Sequence, residues 1–91
     1  MTFFEDHKQV VRKNGREILG EGKHWLAARY PDGHSRVIIA HPDGSGFKCV
    51  DVPIDDRWRD RAKTAILSAS GRWWRRSEVE PIIEQAFATL N

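Results

Sequence analysis

Residues 23–54 read KHWLAARY-PDG-HSRVIIAH-PDGSG-FKCVDVPI, and the fold turns on this stretch. Three runs rich in β-branched and aromatic residues are separated by two clusters of turn residues, the pattern of consecutive hairpins. The first strand is expected over Lys23 to Tyr30, the second over His34 to His41 and the third over Phe47 to Ile54. In each turn, Pro31-Asp32-Gly33 and Pro42-Asp43-Gly44-Ser45-Gly46, proline presets φ, aspartate bonds back to the backbone and glycine takes the left-handed position. Tyr30-Pro31-Asp32-Gly33 recurs as His41-Pro42-Asp43-Gly44. The recurrence is repeated hairpin grammar, not a solenoid repeat. Pro53 closes the third strand, so residues 23–54 are expected to form a three-stranded antiparallel meander.

Outward from this core the periodicity changes from two to 3.6. Residues 2–14 read as a helix, with Thr2 and Glu5 as a capping box. Phe3, Phe4, His7, Val10 and Val11 mark its inward face, and Lys13-Asn14-Gly15 marks its stop. Arg16 to Leu19 reads as extended or irregular, and Gly20-Glu21-Gly22 as a loop. On the other side, Asp55 or Asp56 caps a helix over 55–70. Trp58, Ala62, Ala65, Ile66 and Ala69 lie on one side of it and Leu67 on the opposite side. A last helix over 77–90 opens with a Ser77/Glu80 capping box and carries Val79, Ile82, Ile83, Ala86, Phe87 and Leu90 as one apolar stripe. The order is α-β-β-β-α-α. The expectation is a single small α+β domain over residues 1–91, with its helices layered on one face of the sheet.

The bulk numbers exclude several classes. The 91 residues suit one domain, and 40% hydrophobic content is enough for one core, against whole-chain disorder. A single cysteine, Cys49, cannot make an internal disulfide, and the scarcity of cysteine suggests a reducing, cytoplasmic setting. Cys49 itself reads as packing. Met1 to His7 lacks the basic start and apolar stretch of a signal peptide. The longest apolar run, Val37 to Ala40, is far short of the ~20 residues that span a bilayer. No membrane partner is expected.

The net charge of +2 hides an uneven distribution. Residues 55–76 hold seven basic and three acidic residues, and residues 77–91 hold three acidic residues and no basic one. The basic block contains Arg57, Trp58, Arg59, Arg61, Lys63, Arg72, Trp73, Trp74, Arg75 and Arg76. Guanidinium forks bind phosphate or carboxylate bidentately, and indoles stack on bases or guanidinium groups. Both residue types are enriched in interface hot spots. Arg72, Trp73, Trp74, Arg75 and Arg76, with Arg57, Arg59 and Arg61, are therefore the candidate binding residues. Trp58 and one of the Trp73-Trp74 pair are expected in the core.

Catalytic and metal signals are sparse. The four histidines, His7, His24, His34 and His41, show no metal-ligand spacing, so no metal and no cofactor are expected. His24 and His41 fall at one end of the sheet on opposite faces, and His7 reads as a buried, satisfied histidine. Asp55-Asp56 reads as a helix cap. No glycine-rich phosphate loop follows a strand.

One family resemblance is present. Lys13-Asn14-Gly15, Gly22-Lys23-His24 and Tyr30-Pro31-Asp32-Gly33 follow one another in this chain. In a second register so do Gly33-His34-Ser35, His41-Pro42-Asp43-Gly44, Val52-Pro53 and the helix through Leu67. Either series resembles the HicA-like mRNA interferase toxins, which have a double-stranded-RNA-binding-like fold and a Gly-Ser-His motif. Lys23 stands at the serine in the first register, and the His-Ser order is swapped in the second. The resemblance implies a catalytic histidine, His24 or His34, acting as general acid–base on a ribose 2′-hydroxyl.

Three functions follow. The first is a non-enzymatic binding protein that presents the Arg/Trp corner to a nucleic-acid-handling protein complex or to nucleic acid. By analogy, phage and mobile-element inhibitors are often single domains of this size. The second is a ribonuclease using His24 or His34. The third is a structural domain that forms homo-oligomers through the basic corner.

Overall fold

The computed structural model describes residues 3–68 and 74–90. The elements are α1 (Phe3–Asn14), β1 (Glu17–Gly22), β2 (Trp25–Arg29), β3 (His34–Ala40), β4 (Phe47–Pro53), α2 (Trp58–Ser68) and α3 (Arg76–Thr89). The chain is a small α+β domain with one antiparallel sheet in the order β1-β2-β3-β4. The expected meander is present as β2, β3 and β4, with Trp25 opposite Ile39 and His34 opposite Pro53. Both turns use the expected chemistry. Asp32 Oδ1 accepts the His34 N–H at 3.0 Å, and Asp43 Oδ1 accepts the Ser45 N–H at 2.8 Å. Gly33 and Gly44 sit at φ of 89° and 80°.

Two expectations are corrected. Residues 17–22, read as irregular chain and loop, form a fourth strand at the sheet edge, with a bulge between Ile18 and Gly20. Its glycines make room for the Trp25 indole. A Cβ on Gly20 would stand 2.7 Å from Trp25 Cη2 and 2.8 Å from Leu90 Cδ2, and one on Gly22 would overlap the indole nitrogen. The helices, moreover, do not share one face. Trp25, Ala27, Val37 and Ile39 pack with α2 and α3, whereas Leu26, Ala28, Ile38 and Ala40 pack on the other side with Phe4 and Val11 of α1. The runs Trp25–Ala28 and Val37–Ala40 are apolar without alternation because both faces of these central strands are covered.

The inward face of α1 also differs from the apolar spacing. Phe4, Lys8 and Val11 are buried, while Phe3 is 84% exposed and Val10 is 47% exposed. Lys8 takes a core position beside Phe4, with Nζ over the ring at 5.1 Å from its centroid. Its ammonium meets Glu21 and the Gly22 carbonyl, each at 3.3 Å, so the charge is not stranded. His7 is half-buried and stacks on Phe47 at 5.0 Å. Its Nε2 has no hydrogen-bond partner among the described residues, so it is not the satisfied core histidine expected.

The larger core lies under α2 and α3. Ala62 and Ile66 of α2 and Val79, Ile83, Ala86 and Phe87 of α3 close over the sheet, with Trp58 and Leu67 partly buried beside them. Asp55 opens α2, its Oδ1 accepting the Arg57 N–H at 2.8 Å. Cys49, expected to pack, is exposed on β4 instead. No helix among the described residues is long and apolar enough to cross a membrane.

Candidate functional site

Helices α2 and α3 run antiparallel, because Arg59 Nη2 donates to the Phe87 carbonyl at 2.7 Å and Lys63 Nζ reaches Glu84 at 3.0 Å. This divides the basic block. Arg57, Arg59 and Arg61 stand beside the C-terminal end of α3, while Arg75 and Arg76 stand at its start. The 11 residues of α2 at about 1.5 Å each put roughly 16 Å between the two ends. The expected single corner is therefore two separate groups. Arg72 and Trp73 lie outside the described residues.

The first group is largely committed to the fold. Arg59 caps a last-turn carbonyl of α3, Arg61 pairs with Asp55, and Lys63 pairs with Glu84. Asp55 has its carboxyl held below the usual range, first by the Arg57 N–H and then by the Arg61 guanidinium. Arg57 and Arg61 border a shallow groove with Val52, Asp60 and Thr64.

The second group is more open. Trp74 is 6% exposed and belongs to the core under α2 and α3, so this indole is not a contact surface. Arg75 and Arg76 follow it with side chains 76% and 64% exposed. Arg75 is the N-cap of α3, with no side-chain cap bond. The expected capping box at Ser77 does not form, because the helix starts at Arg76 and Ser77 lies inside its first turn. Two arginines thus stand at the positive end of a helix dipole, where cations cost about 0.3–1 kcal/mol each. Glu78 and Glu80 offset this only in part, at 3.9 Å from Arg75 and 3.3 Å from Arg76.

The β3–β4 turn reaches the same end of the molecule. His41 is 2% exposed and meets the Trp74 ring edge-on at 6.4 Å. Its Nδ1 is 2.6 Å from Asp43 Oδ1, and its Nε2 is 2.8 Å from Glu78 Oε2. The Asp43 N–H also points at Nδ1, at 3.2 Å. Sequence spacing exposes the His41/Asp43 half of this cluster. Glu78 arrives from another element, and no local pattern announces it.

The remaining histidines are well apart. His24, in the turn just before β2, accepts the Ala40 N–H on its carbonyl at 2.8 Å and borders a hollow with Lys23, Phe4 and His41. His34 is at the opposite end of the β2–β3 hairpin, with Nδ1 3.3 Å from Asp32 Oδ2. It shares a hollow with Tyr30, Arg36 and Asp51. There Arg36 makes a two-pronged bond to Asp51 at 2.7 and 2.8 Å and lies over the Tyr30 ring. That bond holds the Asp51 carboxyl below its ordinary value.

Comparison with protein-family models, curated proteins and solved structures finds no match to this chain.

Proposed function

We propose that this chain is a non-enzymatic binding protein that docks an anionic macromolecular partner, a nucleic-acid-handling protein complex or nucleic acid, at the start of α3. The observation that carries this reading is the uncapped helix start with Arg75 and Arg76 exposed on it. A helix built for stability alone would place Ser, Thr, Asp or Asn at the N-cap. Arginine there is locally costly, and such broken local rules gather at functional surfaces. The α2 arginines are the weaker choice, because Arg59 and Arg61 are already bonded within the fold.

The test compares Arg75→Asp/Arg76→Glu with Arg57→Glu/Arg61→Glu. The first pair should abolish capture of the partner from host extract, and Arg75→Asp alone should stabilise the fold by about 0.5–2 kcal/mol by supplying a cap. Loss of capture only in the second pair would move the docking surface to α2. If the partner is nucleic acid, affinity falls steeply with salt as counterions are released. A flat response with intact protein capture assigns a protein partner. Concentration-dependent dimerisation removed by the same charge reversals would mean self-association.

A ribonuclease reading is favoured at His34 by the Asp32 carboxylate 3.3 Å from Nδ1, which orients the ring as a general base requires. RNA cleavage lost in His34→Ala and retained in His24→Ala would support it. No cleavage by the unaltered chain removes it.

A further inference from the structure

The structure assigns the outer edge of β4 to a second copy of this chain: two β4 strands pair antiparallel about a two-fold axis, joining the two sheets into one. The two edges of the sheet are unlike. Strand β1 carries a bulge between Ile18 and Gly20 and the charged Glu17 and Glu21, devices that blunt an edge. Strand β4 runs against β3 from Phe47 to Pro53 without a shift of register, and among the described residues β3 is its only strand partner. The flanking bonds fix the direction of its backbone groups. The His41 N–H donates to the Gly46 carbonyl at 2.9 Å, and the Ile54 N–H donates to the Gly33 carbonyl at 3.0 Å. Gly46 and Ile54 thus face β3, and backbone groups alternate in direction along an antiparallel strand. Lys48, Val50 and Val52 therefore turn theirs to β3, while Phe47, Cys49, Asp51 and Pro53 turn theirs outward. Helix α2 leaves this side open, since Val52 and Pro53 line a groove with its Thr64 and Ala65.

Proline sets the register. Pro53 has no N–H, so a pairing that puts it opposite Phe47 loses ladder bonds. An axis centred on Cys49 avoids this loss. Cys49 then faces its own copy, Phe47 faces the partner's Asp51, and each such pair exchanges both backbone bonds. The same axis matches the surfaces above the sheet. On the α1 face, the Phe47 end of β4 carries an apolar ridge, formed by Phe3 and Val10 beside His7 and Phe47. The Asp51 end carries a hollow walled by Tyr30, His34, Arg36 and Asp51. Ridge and hollow stand at opposite ends of the strand, so the two-fold lays each copy's ridge over the other's hollow. Such an isologous contact is self-complementary. An interface of standard size takes about 800 Å² from each partner, roughly one-seventh of the 5614 Å² surface. One side of a molecule measuring 32 × 28 × 20 Å supplies that area. The contact uses neither Arg75 nor Arg76 and is independent of the docking reading.

Sedimentation of the reduced chain tests this, with a mass twice that of the chain expected. Cys49→Lys sets two ammonium groups opposite each other on the axis, and Phe3→Lys removes the ridge. Both side chains are exposed in the single chain, so folding, checked by circular dichroism, is retained. Each should weaken dimerisation by about tenfold or more. Arg75→Asp/Arg76→Glu should leave it unchanged. Cys49 also reports the register. Facing residues of a bonded pair stand about 5.5 Å apart at Cα, within the roughly 4.4–6.8 Å that a disulfide spans. Diamide should therefore oxidise the two thiols and link the chains, rapidly in the unaltered protein and slowly in Phe3→Lys. A monomer at every concentration, a dimer that Cys49→Lys leaves intact, or a dimer that diamide does not link overturns the pairing. A dimer lost only in Arg75→Asp/Arg76→Glu overturns it as well and places self-association at the start of α3.

Discussion

Truncating Trp74 to alanine removes a buried indole from the larger core, next to His41. Loss of such a side chain costs about 3–5 kcal/mol, whereas Arg75→Ala, on an exposed neighbour, should stay within about 0.5 kcal/mol. Urea unfolding of the two variants checks this pair, and near-equal effects would mean that Trp74 is not packed. The motif read as one contact patch therefore holds two kinds of residue, and only burial tells them apart. Composition could nominate Trp73-Trp74 but could not say that Trp74 is buried. Titration is a second residue-scale matter. Burial, followed by the Arg36 charge, pushes His7 below its ordinary value of 6.5, so the fold favours its neutral form. The folded state then binds fewer protons than the unfolded chain, and stability falls as pH drops below 6.5. Asp51, held below its ordinary 3.8 chiefly by its bond to Arg36, adds stability that is present above that value and lost in stronger acid. A pH series of unfolding free energies should decline in two windows, and His7→Phe should flatten the upper one only.

Individual elements differ in how openly their sequences declare them. The α3 stripe is plain, since Val79, Ile83, Ala86 and Phe87 recur at helical spacing and all four are buried. Ile83→Ala and Phe87→Ala should each cost about 2–5 kcal/mol, a large share of a small domain's total. Strand β1 is hidden because its outer residues are exposed and its two glycines look like loop punctuation. Their real cause is Trp25, a neighbour in space whose indole occupies the room that side chains would take. Gly22→Ala should accordingly destabilise the chain by more than about 1 kcal/mol, as overpacking does, although it lies on an edge strand. A neutral result in thermal unfolding would mean that the indole has room to move. The face of α1 misleads for the opposite reason. Apolarity alone points to Phe3, His7 and Val10, and only the Lys8 contacts with Phe4, Glu21 and Gly22 reveal that a lysine stem holds a core position.

At the scale of the whole molecule the sheet is shared by two unequal cores. On one side α2 and α3 bring Ala62, Ile66, Val79, Ile83, Ala86, Phe87 and Leu90, together with Trp74, onto the strands. On the other, α1 brings Phe4 and Val11 with the Lys8 stem. The segmental charge follows the same division. The basic excess of residues 55–76 and the acidic residues of 77–91 are partly consumed in pairs such as Lys63 with Glu84, so the α2–α3 layer is tied by charge as well as by burial. Burial stabilises at about 25 cal/mol per Å² of apolar surface, so α1 is held by far less than α3. Elements with few buried apolar contacts open locally at a lower free energy than the whole chain. Native-state hydrogen exchange should therefore show α1 amides exchanging through a partial opening, while α3 and the central strands β2 and β3 exchange only with global unfolding. Adding low denaturant should leave the α1 opening nearly unchanged and lower the protection of β3 steeply, because little surface is exposed in the first event and most of it in the second. If α1 amides instead match β3 in both protection and denaturant dependence, the two cores form one cooperative unit, and Phe4 and Val11 carry more of the fold than their buried surface implies.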